Sequence, residues 1–537
     1  MNKLKIIYFL IGVLFLIIPC FAYSQITVRN IYVDRKPVFD STSKDWFFAG
    51  DIANWLHSST RDYVIDDELL FSEDDELLDD DAEETERNLR RTGLFADAKV
   101  RVDTINDREA DIYISVKDRW STFLAPIYDI GGGASTFGGF FKEMNVAGTG
   151  SAFSAAIASR SENNIGMQGD AQLYIRRIFR SEINLYARVF AHRFRTIQEL
   201  QIEKPFRTLS TKWGYGAAGY NHFGSDFLYG GNKPLLTPFH EKRIAAWGGL
   251  GVKRKDRLFF TVSASAGEAQ RLSPSLRRAF DNSGKLLLGF SSLSQKYERT
   301  VGLNGYETED VPIGAWGTAV LGKTFALGDK GEGMYYAGGQ VEQSARIKDA
   351  YLYGSVAGGS GFLQGGAQYT YQEFTGLAHY RISDNLLVAG RLRQQTAWNW
   401  NAFRQLVLDN DAGLRGYAAN KLTGANRIIG NVEMRWYPDI QFWIFKLSGA
   451  AFYDAGSVWN AGTTLGGAQF HNAIGAGLRI HNLKASGPDA VIRVDFAYNA
   501  DEKRFGGIIL SAGQMFSIYA APVFRAPQIF GLDLDDE

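Results

Sequence analysis

The feature that most constrains this chain is an alternation of apolar and polar residues with a period of two, running from Trp120 to about Phe516. Ile183-Asn184-Leu185-Tyr186-Ala187-Arg188-Val189 puts Ile, Leu, Ala and Val on one face and Asn, Tyr and Arg on the other. Val388-Ala389-Gly390-Arg391-Leu392-Arg393 and Ile492-Arg493-Val494-Asp495-Phe496 repeat the arrangement. Successive side chains of an extended strand point to opposite faces, so each segment has one apolar side and one polar side. Roughly 400 residues at about 25 per strand and connection predict a transmembrane antiparallel β-barrel of about 16 strands, apolar residues against lipid and polar ones in the lumen. A soluble β-sandwich would alternate too, but its strands are shorter and its domains smaller. Past the first residues, no stretch supplies the ~20 apolar residues of a spanning helix, so the fold class is mainly β and any crossing is by strands.

Composition narrows the partners. Length alone would suggest about three domains, but large barrels are an exception to that prior. The 22% of charged residues does not exclude a membrane barrel, because lumen-facing positions are polar. A formal net charge of −1 leaves no basic field, so no nucleic acid is expected as a partner.

Residues 1–24 read as a secretory signal. Lys3 and Lys5 precede the apolar stretch Ile6 to Ile18, and Ala22-Tyr23-Ser24 places small residues for cleavage before Gln25. Pro19 beside Cys20 does not fit lipid attachment, so Cys20 is expected to leave with the signal. The mature chain would then contain no Cys, hence no disulfide, thiolate nucleophile or Cys-ligated metal. No cofactor and no metal is expected.

Residues 25–118 differ in character. Ile26-Thr27-Val28-Arg29-Asn30-Ile31-Tyr32-Val33 alternates as a strand, and a helical stretch follows around Ala49 to Leu56. Asp81 can cap a second helix, Ala82 to Thr92, with Glu83, Glu84 and Glu86 near its start, Arg87, Arg90 and Arg91 near its end and Gly93 just past it. Two strands, Ala98 to Asp103 and Asp111 to Lys117, complete a small α+β unit with Leu89, Leu94 and Phe95 in its core. The acidic stretch between Asp66 and Glu84 reads as a solvated face, without the Gly and ligand spacing of a calcium loop.

Near the other end, Gly413-Leu414-Arg415-Gly416-Tyr417 is followed by Phe452-Tyr453-Asp454-Ala455-Gly456 and then by a strand, Gly507 to Phe516, with Gly513 before the aromatic. Asn145-Val146-Ala147-Gly148-Thr149-Gly150, Glu433 and Arg435 within Asn426 to Tyr437, and Gly475-Ala476-Gly477-Leu478-Arg479 add further matches. In this order, with an α+β unit ahead of them, these segments resemble the BamA/TamA family of bacterial surface antigens, outer-membrane assembly and translocation factors with POTRA modules before a barrel. The resemblance implies that residues 25–118 are a POTRA-like periplasmic domain and 119–519 the barrel. It implies that Asn145 to Gly150 is the turn after the first strand. It also implies that a loop of roughly 28 residues, long for a connection, folds into the lumen with Leu414, Arg415, Gly416 and Tyr417 at its tip. Arg415 would then pair with Asp454 beside Gly456, and Gly513 and Phe516 would form the barrel-assembly signal of the last strand, which ends there or at Tyr519. The family pattern has no place for the acidic tail 520–537.

The implied function is assembly, insertion or translocation of proteins at the outer membrane of a Gram-negative bacterium. Partners would be outer-membrane lipid, unfolded or extended client polypeptides held by the N-terminal domain, and accessory assembly subunits. A passive, porin-like diffusion channel is the alternative, although it would need neither the N-terminal unit nor the Arg415 loop. No Gly-x-Ser-x-Gly elbow or His-Glu-x-x-His motif is present, so no catalytic residue and no enzyme activity is expected.

Overall fold

The computed structural model describes residues 26–39, 57–131, 134–208, 210–229, 234–253, 256–306, 308–328, 333–460, 462–484, 491–517 and 524–532. The signal, the helix expected around Ala49 to Leu56, Tyr519 and the acidic residues 533–537 lie outside them.

The first unit contains β1 (Ile26–Lys36), α1 (Asp62–Asp66), β2 (Glu76–Leu77), α2 (Asp81–Arg91), β3 (Phe95–Asn106) and β4 (Glu109–Asp118). Its sheet runs β2-β1-β4-β3, with β1 parallel to β4 and β3 antiparallel to β4. Acidic Asp81, Glu83 and Glu84 in the first turn of α2, and Arg90 and Arg91 in the last, complement its dipole. Asp80, not Asp81, stands at the N-cap, while Asp81 Oδ2 accepts from the Leu78 N–H at 3.0 Å. Leu89 of α2 buries against the sheet with Val28, Leu94, Phe95, Ile112 and Ile114. A charge at Leu89 would have no partner there.

The barrel begins with six short strands: β5 (Thr122–Gly131), β6 (Ala134–Glu143), β7 (Ala152–Arg160), β8 (Gly166–Ile175), β9 (Asn184–His192) and β10 (Arg195–Lys204). Each has 9 or 10 residues, close to the minimum for a tilted crossing. Longer ones follow, β11 (Trp213–Leu228), β12 (Leu235–Val252), β13 (Arg257–Arg271), β14 (Ser283–Val301), β15 (Thr308–Ala326), β16 (Tyr335–Ile347), β17 (Ala350–Leu363) and β18 (Gly366–Ser383). β19 (Leu386–Trp398) leads into the loop 399–425, which carries its own hairpin, β20 (Leu406–Leu408) with β21 (Leu422–Gly424). β22 (Asn426–Trp436), the two-residue β23 (Gln441–Phe442), β24 (Phe445–Trp459), β25 (His471–Asn482), β26 (Val491–Asn499) and β27 (Arg504–Ala512) complete the wall, and β27 closes on β5.

Among the described residues the wall has 20 strands, with β23 a short extension of the β22–β24 hairpin. The expectation of about 16 is therefore corrected upward. Residues 122–512 over 20 strands allow about 20 residues each, because the strands beside the closure are short and most turns are tight. Pairing is antiparallel from neighbour to neighbour. Leu200, Ile244, Leu288, Leu321, Val341, Val356, Val432, Ile474 and Phe496 are exposed on the outer face. Such a continuous apolar belt needs lipid, and closure leaves no unpaired edge within it. The last strand ends at Ala512, short of the expected Phe516, and the chain leaves the wall at Gly513.

Candidate functional site: a latch in the lumen

The loop 399–425 folds inward, and its tip meets the lumen face of β22, β24, β25 and β26. Residues two apart on a strand share a face, so Asn431, Glu433 and Arg435 of β22 all point in, as do Phe452 and Asp454 of β24. Arg415 reaches three carboxylates on three strands. Its Nε and Nη2 donate to Asp454 at 2.7 and 2.8 Å, and its Nη1 donates to Glu433 at 2.7 Å and Asp495 at 3.1 Å. The Arg415 backbone N–H also donates to Asp454, at 3.3 Å. Arg415 and the three carboxylates are 0% exposed.

A buried ion cluster survives only where geometry and compensation are good, and both are visible here. Arg479 donates to Asp495 at 2.6 Å and Arg435 to Glu433 at 2.8 Å, so each acidic group meets more than one donor. Arg493 approaches Asp495 at 3.6 Å. The Arg415 guanidinium lies 3.4 Å above the Phe452 ring. That ring lies over Gly475, where a Cβ would sit 2.3 Å from it in the absence of movement. Asn431 bridges the loop to the wall, donating to the Gly413 carbonyl at 2.8 Å and to Asp454 at 2.7 Å.

The other tip residues follow from the same close approach. Gly416 has φ +81°, and a Cβ there would meet Ala497 at 3.0 Å, so only glycine suits both the backbone and the space. Leu414 is buried beside Leu408 and Ile429. Tyr417 Oη donates to the Asn472 carbonyl at 2.8 Å. Gly456 leaves room for Leu408 of the loop hairpin, 3.0 Å from where its Cβ would be. Sequence reasoning singled out Arg415 and Asp454, set Glu433 and Arg435 among the matching segments, and gave no role to Asp495, Asn431 or Phe452. Their signal was the inward register of their strands, which becomes specific only once the loop position is known.

Gly513 and Phe516 are not parts of a terminal strand. The Gly513 N–H bonds the Val491 carbonyl at 2.8 Å and the chain turns inward. Phe516 is buried in the lumen with Leu377, Leu387 and Ala389, under the Arg435 guanidinium at 4.8 Å. Its backbone carbonyl accepts from Arg435 at 2.7 Å. The expected assembly-signal geometry is corrected on this point: the aromatic packs inward because Arg435 and an apolar pocket offer it partners that lipid does not.

The N-terminal unit sits on the end of the barrel where β10 turns to β11 and β14 to β15. Glu68, expected on a solvated face, is buried and accepts from Arg207 at 2.5 Å, with Arg176 and Arg177 at 3.6 and 3.4 Å. Arg90 forms a bidentate pair with Asp310 at 2.7 and 2.8 Å, and Arg87 lies 4.4 Å over Tyr297. The turn Asn145 to Gly150 follows the second barrel strand, not the first. Its role is docking. Asn145 Nδ2 donates to the Ser58 carbonyl at 2.9 Å, and the Arg61 N–H donates to the Gly148 carbonyl at 2.9 Å. Gly148 has φ +76°, and a side chain there would strike the Ser59 carbonyl. Trp120, which could have lain at a lipid interface, instead stacks on His57 in the joint at 6.0 Å.

No protein-family model and no curated protein matches the chain. Solved structures do resemble it. One is BamA from Haemophilus ducreyi lacking POTRA domains 1–3, at 13% identity and TM-score 0.37, covering 90% of this chain and 83% of that one. CdiB from Acinetobacter baumannii matches at 10% identity and TM-score 0.42, covering 91% and 73%. CdiB from Escherichia coli matches at 10% identity and TM-score 0.41, covering 91% and 75%. At that distance the side chains described above, not the likeness, bear on function.

Proposed function

We propose that this chain acts in assembly, insertion or translocation of proteins at the outer membrane of a Gram-negative bacterium. Residues 25–118 would serve as a periplasmic POTRA-type module, and the chain has no catalytic chemistry of its own. The observation that carries the reading is the Arg415 latch. A barrel for passive diffusion needs no dry cluster of an arginine and three carboxylates to fix a loop to one side of its lumen. Among the described residues, cavities of about 600 and 540 Å³ lie inside and share no lining residue. The N-terminal sheet supports client capture: past Val28, the outer edge of β1 pairs with no strand among the described residues. An extended polypeptide can add to such an edge through main-chain hydrogen bonds.

A photo-crosslinking residue placed at Tyr32 or Val33 in living cells tests this. Unfolded outer-membrane polypeptides are expected on the crosslinked chain, and deletion of 26–118 should abolish activity while the barrel still inserts. Large steady currents in planar bilayers and small-solute uptake independent of the N-terminal unit, with no polypeptide crosslinked, would replace this reading by the diffusion channel.

A further inference from the structure

Residues 524–532 lie in the lumen along the wall formed by β12 to β18. Phe524 sits among Phe206, Trp247, Phe259 and Trp316, with ring centroids 4.8, 5.1, 5.3 and 6.4 Å away. Arg525 pairs with Glu342 of β16, its Nη2 3.3 Å from Oε2. The Pro527 carbonyl accepts from Ser263 Oγ at 2.8 Å, and the Pro527 ring lies 3.0 Å from where a Cβ on Gly289 would be. Ile529 and Phe530 join a cluster with Phe280, Tyr336, Tyr369 and Tyr371. The Phe530 N–H donates to Tyr336 Oη at 3.0 Å, and the Gly531 carbonyl accepts from Arg404 at 3.1 Å.

These contacts give the segment a direction. Phe206 and Phe259 lie by the turns where the N-terminal unit docks, whereas Phe280 and Arg404 belong to loops at the opposite end. Residues 524–529 are extended and the chain turns at Phe530 and Gly531, so the run from Phe524 to Phe530 covers ~20 Å, about two thirds of the hydrocarbon layer. The segment therefore runs along the lumen from the docking end toward the opposite one. It joins no sheet; side chains and a few isolated hydrogen bonds hold it. Its seat is also matched to it in chemistry. There are two aromatic pockets six residues apart and one carboxylate between them, buried in the lumen and opposite the only cation of the segment.

We propose that this track is a binding site for an extended polypeptide of the pattern aromatic-Arg-x-Pro-x-aliphatic-aromatic. Residues 524–532 are its resident occupant, and their release opens the lumen. The track is defined by its occupant alone, whatever the barrel as a whole assembles or carries.

The test compares the full chain with one ending at residue 523, both in lipid bilayers, and uses a fluorescent synthetic peptide of residues 521–537 as probe. The shortened chain should remain a heat-modifiable barrel and conduct several-fold more than the full chain. The peptide should bind it saturably and return the conductance to the full-chain level. A peptide carrying Phe524→Ala and Phe530→Ala should bind at least tenfold more weakly, and Glu342→Gln in the barrel should weaken the unaltered peptide. Should the shortened chain fail to fold, a Gln528→Cys probe in the full chain replaces it. That thiol should be protected from a charged reagent, and become at least tenfold more reactive when Phe524→Ala, Arg525→Glu and Phe530→Ala are added. Unchanged conductance on truncation, peptide binding to empty lipid discs equal to that on the barrel, or equal thiol reactivity with and without the triple change would overturn the proposal.

Discussion

On the β22 to β26 wall, the loop tip is fixed by directional charge: one guanidinium, three carboxylates and two supporting arginines, all dry. On the β12 to β18 wall, residues 524–532 are held by rings, one ion pair and scattered hydrogen bonds. Both segments fill the same lumen, yet the physics of removing them differs. Pulling Arg415 away leaves buried carboxylates with too few donors, a cost that arrives all at once. Apolar contacts are non-directional and can be surrendered one residue at a time, at ~1.5–3 kcal/mol each. The first arrangement makes a fixed latch, the second an exchangeable occupant.

The largest expected effect is on the latch. Arg415→Ala should destabilise loop docking by about 3–5 kcal/mol while leaving barrel insertion intact, measured as increased protease sensitivity of residues 409–420 in a barrel that stays heat-modifiable. Arg415→Ala with Asp454→Ala should cost less than the sum of the two single changes. Strictly additive effects would mean that the two side chains act independently.

The occupant should behave in the opposite way. Phe524→Ala and Phe530→Ala should each weaken seating by ~2–3 kcal/mol, read from the protection of a thiol introduced at Gln528. The two sites are separated by ~20 Å of extended chain, so their effects should add. A strong coupling between them would make the occupant a cooperative latch like the loop, and the contrast would fail.

The docking joint between the N-terminal unit and the barrel is intermediate. Arg90→Ala removes a partly buried bidentate pair with Asp310, and the loss of charge-assisted bonds is worth ~1.5–3 kcal/mol. Disulfide trapping across the joint should slow in this variant while the unit keeps its fold. Asp310→Asn should give a similar change, and the pair together little more.

The smallest effect is a pH response outside the membrane. The Arg29 hydrogen bond to Asp111 holds that carboxyl below its usual range. A folded value below the unfolded one means the stabilisation is present above the ordinary carboxylate pKa and is lost as pH falls through the folded value. The thermal midpoint of the isolated unit 25–118 should therefore drop on acidification below about pH 4, and Asp111→Asn should flatten that response.

How far these features were legible in the sequence depends on whether their signal is local. Alternation is local, so the barrel and the shared face of Glu433 and Arg435 follow from spacing alone, whereas Asn431 gains its role only from the position of the loop. The Arg415 tip was legible through its Gly-Leu-Arg-Gly-Tyr motif, but its full partner set spans residues 415 to 495 and needs the strand order. The strand count was misjudged because length per strand was averaged, whereas the wall beside the closure uses strands of 9 or 10 residues. Glu68 looked like one acid in a solvated run, since nothing nearby in sequence announces Arg176, Arg177 and Arg207. The segment 524–532 was illegible for the same reason: Phe-Arg-Ala-Pro-Gln-Ile-Phe acquires meaning only from rings contributed by β13, β15, β16 and β18.

Hydrogen exchange read by mass spectrometry on the full chain in lipid discs tests the contrast between the two lumen segments most directly. It follows peptides covering residues 409–420 and 524–532 side by side. Exchange in the segment 524–532 should be at least tenfold faster than at the loop tip, and Arg415→Ala should erase the difference by speeding the tip alone. Equal protection of the two segments in the unaltered chain, or slower exchange in 524–532 than at the tip, would contradict the division into a fixed latch and an exchangeable occupant.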